Sequence, residues 1–259
     1  MAKEAILKYI QASKEKIELL ESNMAKYIIL SVMSGIYIGF GTALVFSIGA
    51  PLKAAGSPGL KALMGASFAI ALTLVIFAGS ELFTGNNMVM FIGNLSKTVS
   101  WTDSLKVWSI SFLGNLAGSL LFASAMLGSG LISKSPLRDL IINVSSLKIN
   151  ATFTELFFRG VLCNMLVCLA IWMSTIAKED TARLFLIFWC LFGFVGAGFE
   201  HSVANMSLLG MNIFVNGNSA LVSWTGFAYN ITVVSLGNIV GGLIIGGVYW
   251  YVYAYRKAG

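Results

Sequence analysis

Charge is what this 259-residue chain has least of. Lys, Arg, Asp and Glu together are 11% of it, against about 25% in soluble domains. Seventeen basic and eleven acidic side chains cannot cover the surface of a water-soluble body of this length. A soluble enzyme, a nucleic-acid binder and a disordered chain are poor readings on that ground alone. Proline is scarce, with three residues. The three cysteines, Cys163, Cys168 and Cys190, sit in apolar stretches without paired spacing or a neighbouring histidine. They suggest neither a disulfide framework nor a metal site. One histidine excludes bis-histidine haem, no cysteine cluster can hold iron–sulfur, and no Ser/His/Asp constellation is credible. No catalytic residue and no cofactor are expected.

What is present is apolar: 57% of residues are hydrophobic, mean hydropathy is +0.83, and glycine occurs 27 times. Small residues let membrane helices approach closely, and a crossing needs about 20 apolar residues. Charge-free windows predict spans in 27–52, 62–80, 107–133, 160–177, 184–199 and 202–255. The last window is long enough for two crossings. Asn205, Asn212, Asn216, Asn218, Ser219 and Ser223 argue against a full one in its first part. The expectation is an all-α integral membrane protein of six spans, with seven as the alternative.

The first 26 residues carry nine charges, with Ile6, Ile10, Ile17 and Met24 near helical spacing. That pattern predicts an amphipathic helix on the bilayer surface, or a cap on neighbouring subunits, and not a cleaved leader. Six spans put both termini on one side, with five N-terminal lysines, Lys97, Lys106, Lys178, Arg183, Arg256 and Lys257. Lys53, Lys61, Lys134, Arg138 and Lys148 fall on the other. The positive-inside rule makes the termini cytoplasmic.

The chain repeats itself. Ser100-Trp101-Thr102 is matched by Ser223-Trp224-Thr225, and Leu113-Gly114-Asn115 by Leu236-Gly237-Asn238; 8 of 21 positions agree at one offset. Upstream, Glu81 and Asn86 answer Glu200 and Asn205. Three spans per unit is an odd number, so the second unit is inverted. Inverted repeats build pathways whose functional region lies where the halves meet. The expected organisation is an N-terminal helix (1–26), a first repeat (27–133), an external loop with Lys148 (134–152), a second repeat (153–255) and a cytoplasmic tail (256–259). The first spans of the two halves show no convincing match.

In each unit one segment looks broken: Gly79-Ser80-Glu81-Leu82-Phe83-Thr84-Gly85-Asn86-Asn87-Met88 and Gly198-Phe199-Glu200-His201-Ser202-Val203-Ala204-Asn205-Met206. Irregular backbone at membrane depth survives only inside protein or along a watery cavity. Glu81 and Glu200 are expected to accept from free N–H groups where each helix restarts. Asn86 and Asn205 are expected to satisfy interrupted backbone, and Arg159 to pair with Glu155. His201 is an ionisable group in a membrane break, hence a functional candidate. The plainer alternative is a neutral ring tying the break to Asn164. Thr84 is able to donate to an anion, or is a turn residue only.

These motifs, with Arg159-Gly160-Val161-Leu162-Cys163-Asn164, resemble the formate/nitrite transporter family over nearly the whole chain. The resemblance implies a homopentamer of aquaporin-like protomers, each with a pore for small monovalent anions such as hydrosulfide, formate and nitrite, in a bacterial inner membrane. Overall likeness is greatest to the hydrosulfide-conducting branch. It implies a selectivity region of Thr84, His201, Lys148 and Asn164, with Thr84 opposite His201 and Lys148 raising the central potential. It also implies an apolar constriction of Phe68, Leu72, Leu82, Val167 and Phe194.

A bare monovalent anion in an apolar neck loses hydration worth tens of kcal/mol at low dielectric, and the neutral acid loses far less. Expected is therefore a cationic vestibule, then proton sharing with His201 during passage. The rivals are a proton-coupled formate or nitrite transporter and, more distantly, a neutral-solute pore. The latter typically has two Asn-Pro-Ala breaks, where this chain has Asn86-Asn87-Met88 and Asn205-Met206-Ser207.

Overall fold

The computed structural model describes residues 2–217 and 223–254. Asn218, Ser219, Arg256, Lys257 and the expected tail at 256–259 lie outside the described residues. All described regular structure is helical. Helix α1 (Ala2–Ser22) leads into α2 (Met24–Ala54). Helices α3 (Leu60–Ser67) and α4 (Ala69–Phe77) follow, and α5 (Phe83–Leu95) restarts after a break. Next come α6 (Trp101–Gly128), α7 (Leu137–Asn150), α8 (Phe153–Ile176) and α9 (Asp180–Ala197). A second break precedes α10 (Ser202–Asn216), and α11 (Trp224–Tyr253) closes the fold. Six spans are long and apolar enough to cross a membrane: α2, α3–α4, α6, α8, α9 and α11. Helices α5 and α10 are short and almost wholly buried, so the asparagine-rich start of the last window is an interior helix and not a crossing.

The repeated Ser-Trp-Thr is a helix start. Ser100 and Ser223 are N-caps whose side chains accept from Asp103 and Gly226 N–H. Such a cap is worth about 1 kcal/mol. The two most extensive helix pairings, α2 with α6 and α8 with α11, are equivalent in the repeat. Both depend on glycine. A Cβ on Gly118 would stand 1.9 Å from the Val32 carbonyl oxygen, and one on Gly241 2.3 Å from that of Val161.

Those contacts also reveal the match that sequence did not. Glu81 N–H donates to Leu30 O and Glu200 N–H to Arg159 O. Leu30 thus answers Arg159, and by the glycine contacts Val32 answers Val161, both at a separation of 129 residues. The α2 and α8 sequences diverged, but their carbonyls kept the same partners.

One expectation about a peripheral segment changes. The segment at 134–152 is not a loop: 14 of its residues form α7, with Lys148 in the last turn. Helix α1 packs one face on the rest of the protein. Its Ala5, Ile6, Tyr9, Ser13 and Leu20 are buried on the protein's own helices. The Tyr9 ring stacks on Trp172 at 5.4 Å, and Trp172 stacks on Tyr249 at 4.1 Å. Tyr9 hydroxyl donates to Ile171 O at 2.9 Å. Burial pushes that phenol above its ordinary range, so it remains a donor.

Candidate functional site

Each break opens on a glycine that an L side chain would strain: Gly79 at φ 73° and Gly198 at φ 81°. The helices then restart inside the protein, where their N-terminal N–H groups need acceptors. The acceptors are not Glu81 and Glu200, as the sequence suggested. Asn115 Oδ1 accepts from Phe83 N–H at 2.9 Å, while its Nδ2 donates to Ser31 O and Glu81 O. Asn238 Oδ1 accepts from Ser202 N–H at 3.0 Å, while its Nδ2 donates to Gly160 O and Glu200 O. One asparagine per repeat therefore ties a break to two neighbouring helices.

The two carboxylates are instead held by side chains. Glu81 accepts from Lys16 Nζ at 2.6 and 2.8 Å, from Tyr27 hydroxyl at 3.0 Å and from Asn86 Nδ2 at 3.0 Å. Glu200 accepts from Lys148 Nζ at 2.5 Å and from Asn205 Nδ2 at 2.6 Å. Asn86 and Asn205 thus serve the acids and not the interrupted backbone. Asn230 completes the second group, accepting from Asn205 at 2.9 Å and donating to Lys148 O at 3.0 Å. A carboxylate survives at this depth because charge and hydrogen bonds offset its desolvation. The Arg159–Glu155 pair is present at 3.2 Å, half-exposed.

Between the breaks, Thr84 Oγ1 and His201 Nε2 are 3.1 Å apart, both buried. His201 Nδ1 accepts from Ala204 N–H at 3.2 Å, capping α10. A neutral ring that accepts at Nδ1 carries its proton on Nε2. That proton is aimed at Thr84 Oγ1, which leaves the threonine hydroxyl's own proton free among the described residues. His201 is not bonded to Asn164. Asn164 Nδ2 donates to Thr84 O at 3.1 Å and to Asn238 O at 2.6 Å, so it holds the backbone of the break.

The equivalent place in the other half is arranged in reverse. Position 164 answers Gly35, and Gly242 answers Ser119, whose hydroxyl donates to Val203 O at 3.4 Å. A Cβ on Gly242 would stand 3.1 Å from Asn164 Nδ2. The polar side chain sits on α6 in the first half and on α8 in the second.

Phe68, Leu72, Leu82, Val167 and Phe194 converge. With Ile38, Leu191 and His201 they enclose a void of about 10 Å³. Phe68 and Phe194 meet edge to face, ring centres 5.5 Å apart. These two and His201 also form the floor of a vestibule of about 820 Å³; Leu72, Leu82 and Val167 lie only below it. Lys53, Lys61, Lys148 and Arg159 line that vestibule, and Glu200 is its one acid among the described residues.

Sequence reasoning missed Lys16, Tyr27 and Asn230, and it used Asn115 and Asn238 only as markers of the repeat. Lys16 is one of nine charges in its segment and carries no signal of its own. The asparagines were recognisable, since only they recur fourteen residues after each Trp inside an apolar run.

The family description "Formate/nitrite transporter" matches residues 3–252. The nitrite transporter NirC of Salmonella typhimurium is 41% identical over 232 residues, 89% of this chain and 84% of that protein. A solved structure described as an FNT family ion channel superposes with a TM-score of 0.91 at 37% identity, over 96% of this chain and 98% of that one. A pentameric formate channel solved with formate bound gives a TM-score of 0.79 at 29% identity, over 89% and 97% of the two chains. The chain belongs to the formate/nitrite transporter family.

Proposed function

We propose that this member of the formate/nitrite transporter family is a passive channel for small monovalent anions of weak acids, hydrosulfide first among them. The observation that carries the reading is the Thr84–His201 pair at 3.1 Å, set against a greasy floor beneath a cationic chamber. Lys148 and its neighbours draw an anion into the chamber. The Phe68–Phe194 edge then faces it with a neck that a bare ion cannot enter cheaply. At that floor the anion meets His201, and behind it the buried Thr84 hydroxyl is a second donor. A hydrogen bond from His201 Nε2–H draws off part of the charge, the balancing proton comes from the vestibule solution, and a near-neutral species crosses past Leu72, Leu82 and Val167. A thiol-like acid titrates near neutrality and needs little help. Formate, whose carboxyl titrates at about pH 3–4, depends more heavily on the ring.

Hydrosulfide is placed ahead of nitrite because its conjugate acid titrates near neutrality and needs the least help from the ring. Nitrite is the second reading, supported by the nitrite transporters at about 40% identity. The assembly we propose is a homopentamer with one pore per protomer, in a bacterial inner membrane. The termini face the cytoplasm and the vestibule faces outward, in keeping with the excess of lysine on the termini's side.

The experiment is flux into proteoliposomes with sulfide, nitrite, formate and chloride, each across pH. The expected order is sulfide above nitrite above formate, with chloride far behind. Chloride passing as fast as sulfide would overturn a mechanism that depends on a transferable proton.

A further inference from the structure

The vestibule holds more positive charge than admitting a monovalent ion requires. Of its four cations, Lys148 is engaged with Glu200 at 2.5 Å, and Arg159 with Glu155 at 3.2 Å. Lys53 and Lys61 make no ion pair among the described residues. They flank the short connection between α2 and α3, so two exposed, unneutralised ammonium groups stand on one wall of the same open vestibule. Like charges held together without a counter-ion repel. A monovalent anion answers one of them at a time. An ion with two or more negative charges answers both, and its second contact is intramolecular.

Such an ion fits the space and cannot leave through the floor. The vestibule is about 820 Å³, and the void beneath Phe68 and Phe194 is about 10 Å³. Stripping an ion of water costs more as the square of its charge, so a divalent ion meets about four times the barrier of a monovalent one. His201 cannot neutralise it with one proton.

We propose that the vestibule is a binding site for a small multivalent oxyanion of the phosphate or sulfate class, anchored by Lys53 and Lys61, which plugs the pore from that side. The inference adds to the channel reading, because monovalent flux becomes sensitive to multivalent anions that are not themselves carried. The occupant is a free ion and not a lipid headgroup.

The test uses pyrophosphate as probe, added to one side at a time of planar phosphatidylcholine bilayers carrying nitrite current. Block is expected from one side only. Half-block is expected at an ionic strength at least about tenfold below that at which potassium gluconate has the same effect. The double variant Lys53→Gln with Lys61→Gln, scored as fractional block of its own current, should raise the half-block concentration about tenfold, the scale of two solvent-facing charge contacts. Calorimetric titration of the detergent-solubilised protein with pyrophosphate should show one site per protomer, weakened by the same pair of changes. Block that follows ionic strength alone, is equal from both sides, or survives the double variant overturns the proposal. So does block that vanishes when phosphatidylglycerol is added, because the headgroup then owns the site. If neither nitrite nor sulfide carries current, the channel reading fails while the titration still reports on the site.

Discussion

Glu81 and Glu200 occupy equivalent positions of the two repeats, and each carboxylate is held by a lysine from a segment outside the crossing helices. Lys16 comes from α1 and Lys148 from α7. The breaks are therefore locked from both faces of the protein by peripheral helices. The locks are unequal. Besides its lysine, Glu81 accepts from Tyr27 and Asn86, whereas Glu200 accepts from Asn205 alone among the described residues.

Removing Lys148 leaves a buried acid without its counter-charge, which typically costs about 3–5 kcal/mol. Lys148→Ala should lower the unfolding temperature in detergent well below that of Lys16→Ala. Pairing Lys148→Ala with Glu200→Gln should restore most of the loss, because the neutral amide keeps a hydrogen-bond acceptor for Asn205. If the two single variants unfold alike, the asymmetry argued here is wrong.

Asn115 and Asn238 each make three hydrogen bonds that hold a break, at about 1 kcal/mol per bond net and more where the orphaned partner is buried. Asn115→Leu and Asn238→Leu should destabilise by similar amounts, about 3 kcal/mol each, as the repeat implies. Asn164→Leu should cost less, since Asn164 Nδ2 serves two carbonyls and Oδ1 has no protein partner. Chemical denaturation in mixed micelles, followed by tryptophan fluorescence, would rank the three.

The six crossings and the inverted repeat were legible because each leaves a mark in one dimension, whereas the five constriction side chains came only from the family resemblance, since each alone reads as ordinary apolar packing. Charge-free length marks a span, Ser-Trp-Thr marks a helix start, and the motifs around Glu81 and Glu200 mark the breaks. Lys16 was not legible, because nothing local distinguishes it from Lys14 two residues away. Its partner is 65 positions downstream. The carboxylates were misread as caps for a related reason. Glu81 and Glu200 each lie two residues before their helices restart, beside the position where an acid ordinarily caps. Here Asn115 and Asn238, on helices that pack from the side, had already taken the N–H groups. Helix α7 was read as loop because its charges and serines hid a short buried stripe of Leu140, Ile141 and Ser145.

Glycine tolerance should follow packing and not helix position. Gly118 faces a backbone oxygen at 1.9 Å from a built Cβ, so Gly118→Ala forces α2 and α6 apart. Gly193, in α9, meets nothing closer than a flexible Leu166 methyl at 3.7 Å. Gly193→Ala should therefore be neutral or stabilising, by up to about 1 kcal/mol from helix propensity. Expression level and monodispersity on size-exclusion chromatography should collapse for the first variant and hold for the second.

His201 has two duties that substitution can separate. Its Nδ1 caps α10 by accepting from Ala204 N–H, and its Nε2 faces Thr84. His201→Ala loses both, so a loss of flux there is ambiguous between a frayed helix and a missing proton. His201→Asn keeps a side-chain oxygen at a helix N-cap, where asparagine is among the best residues, but offers no group that titrates near neutrality. The expected outcome is a thermal stability within about 1 kcal/mol of the parent, retained oligomeric state, and uptake whose dependence on pH is that of the neutral acid in solution alone. Formate flux should fall further than sulfide flux, because the stronger acid relies more on the ring. Thr84→Val removes the other donor and should reduce flux for all anions without altering the pH profile. Flux assays from pH 5 to 8 on the three proteins would decide it: an unchanged pH response in His201→Asn means that the ring is a cap and nothing more.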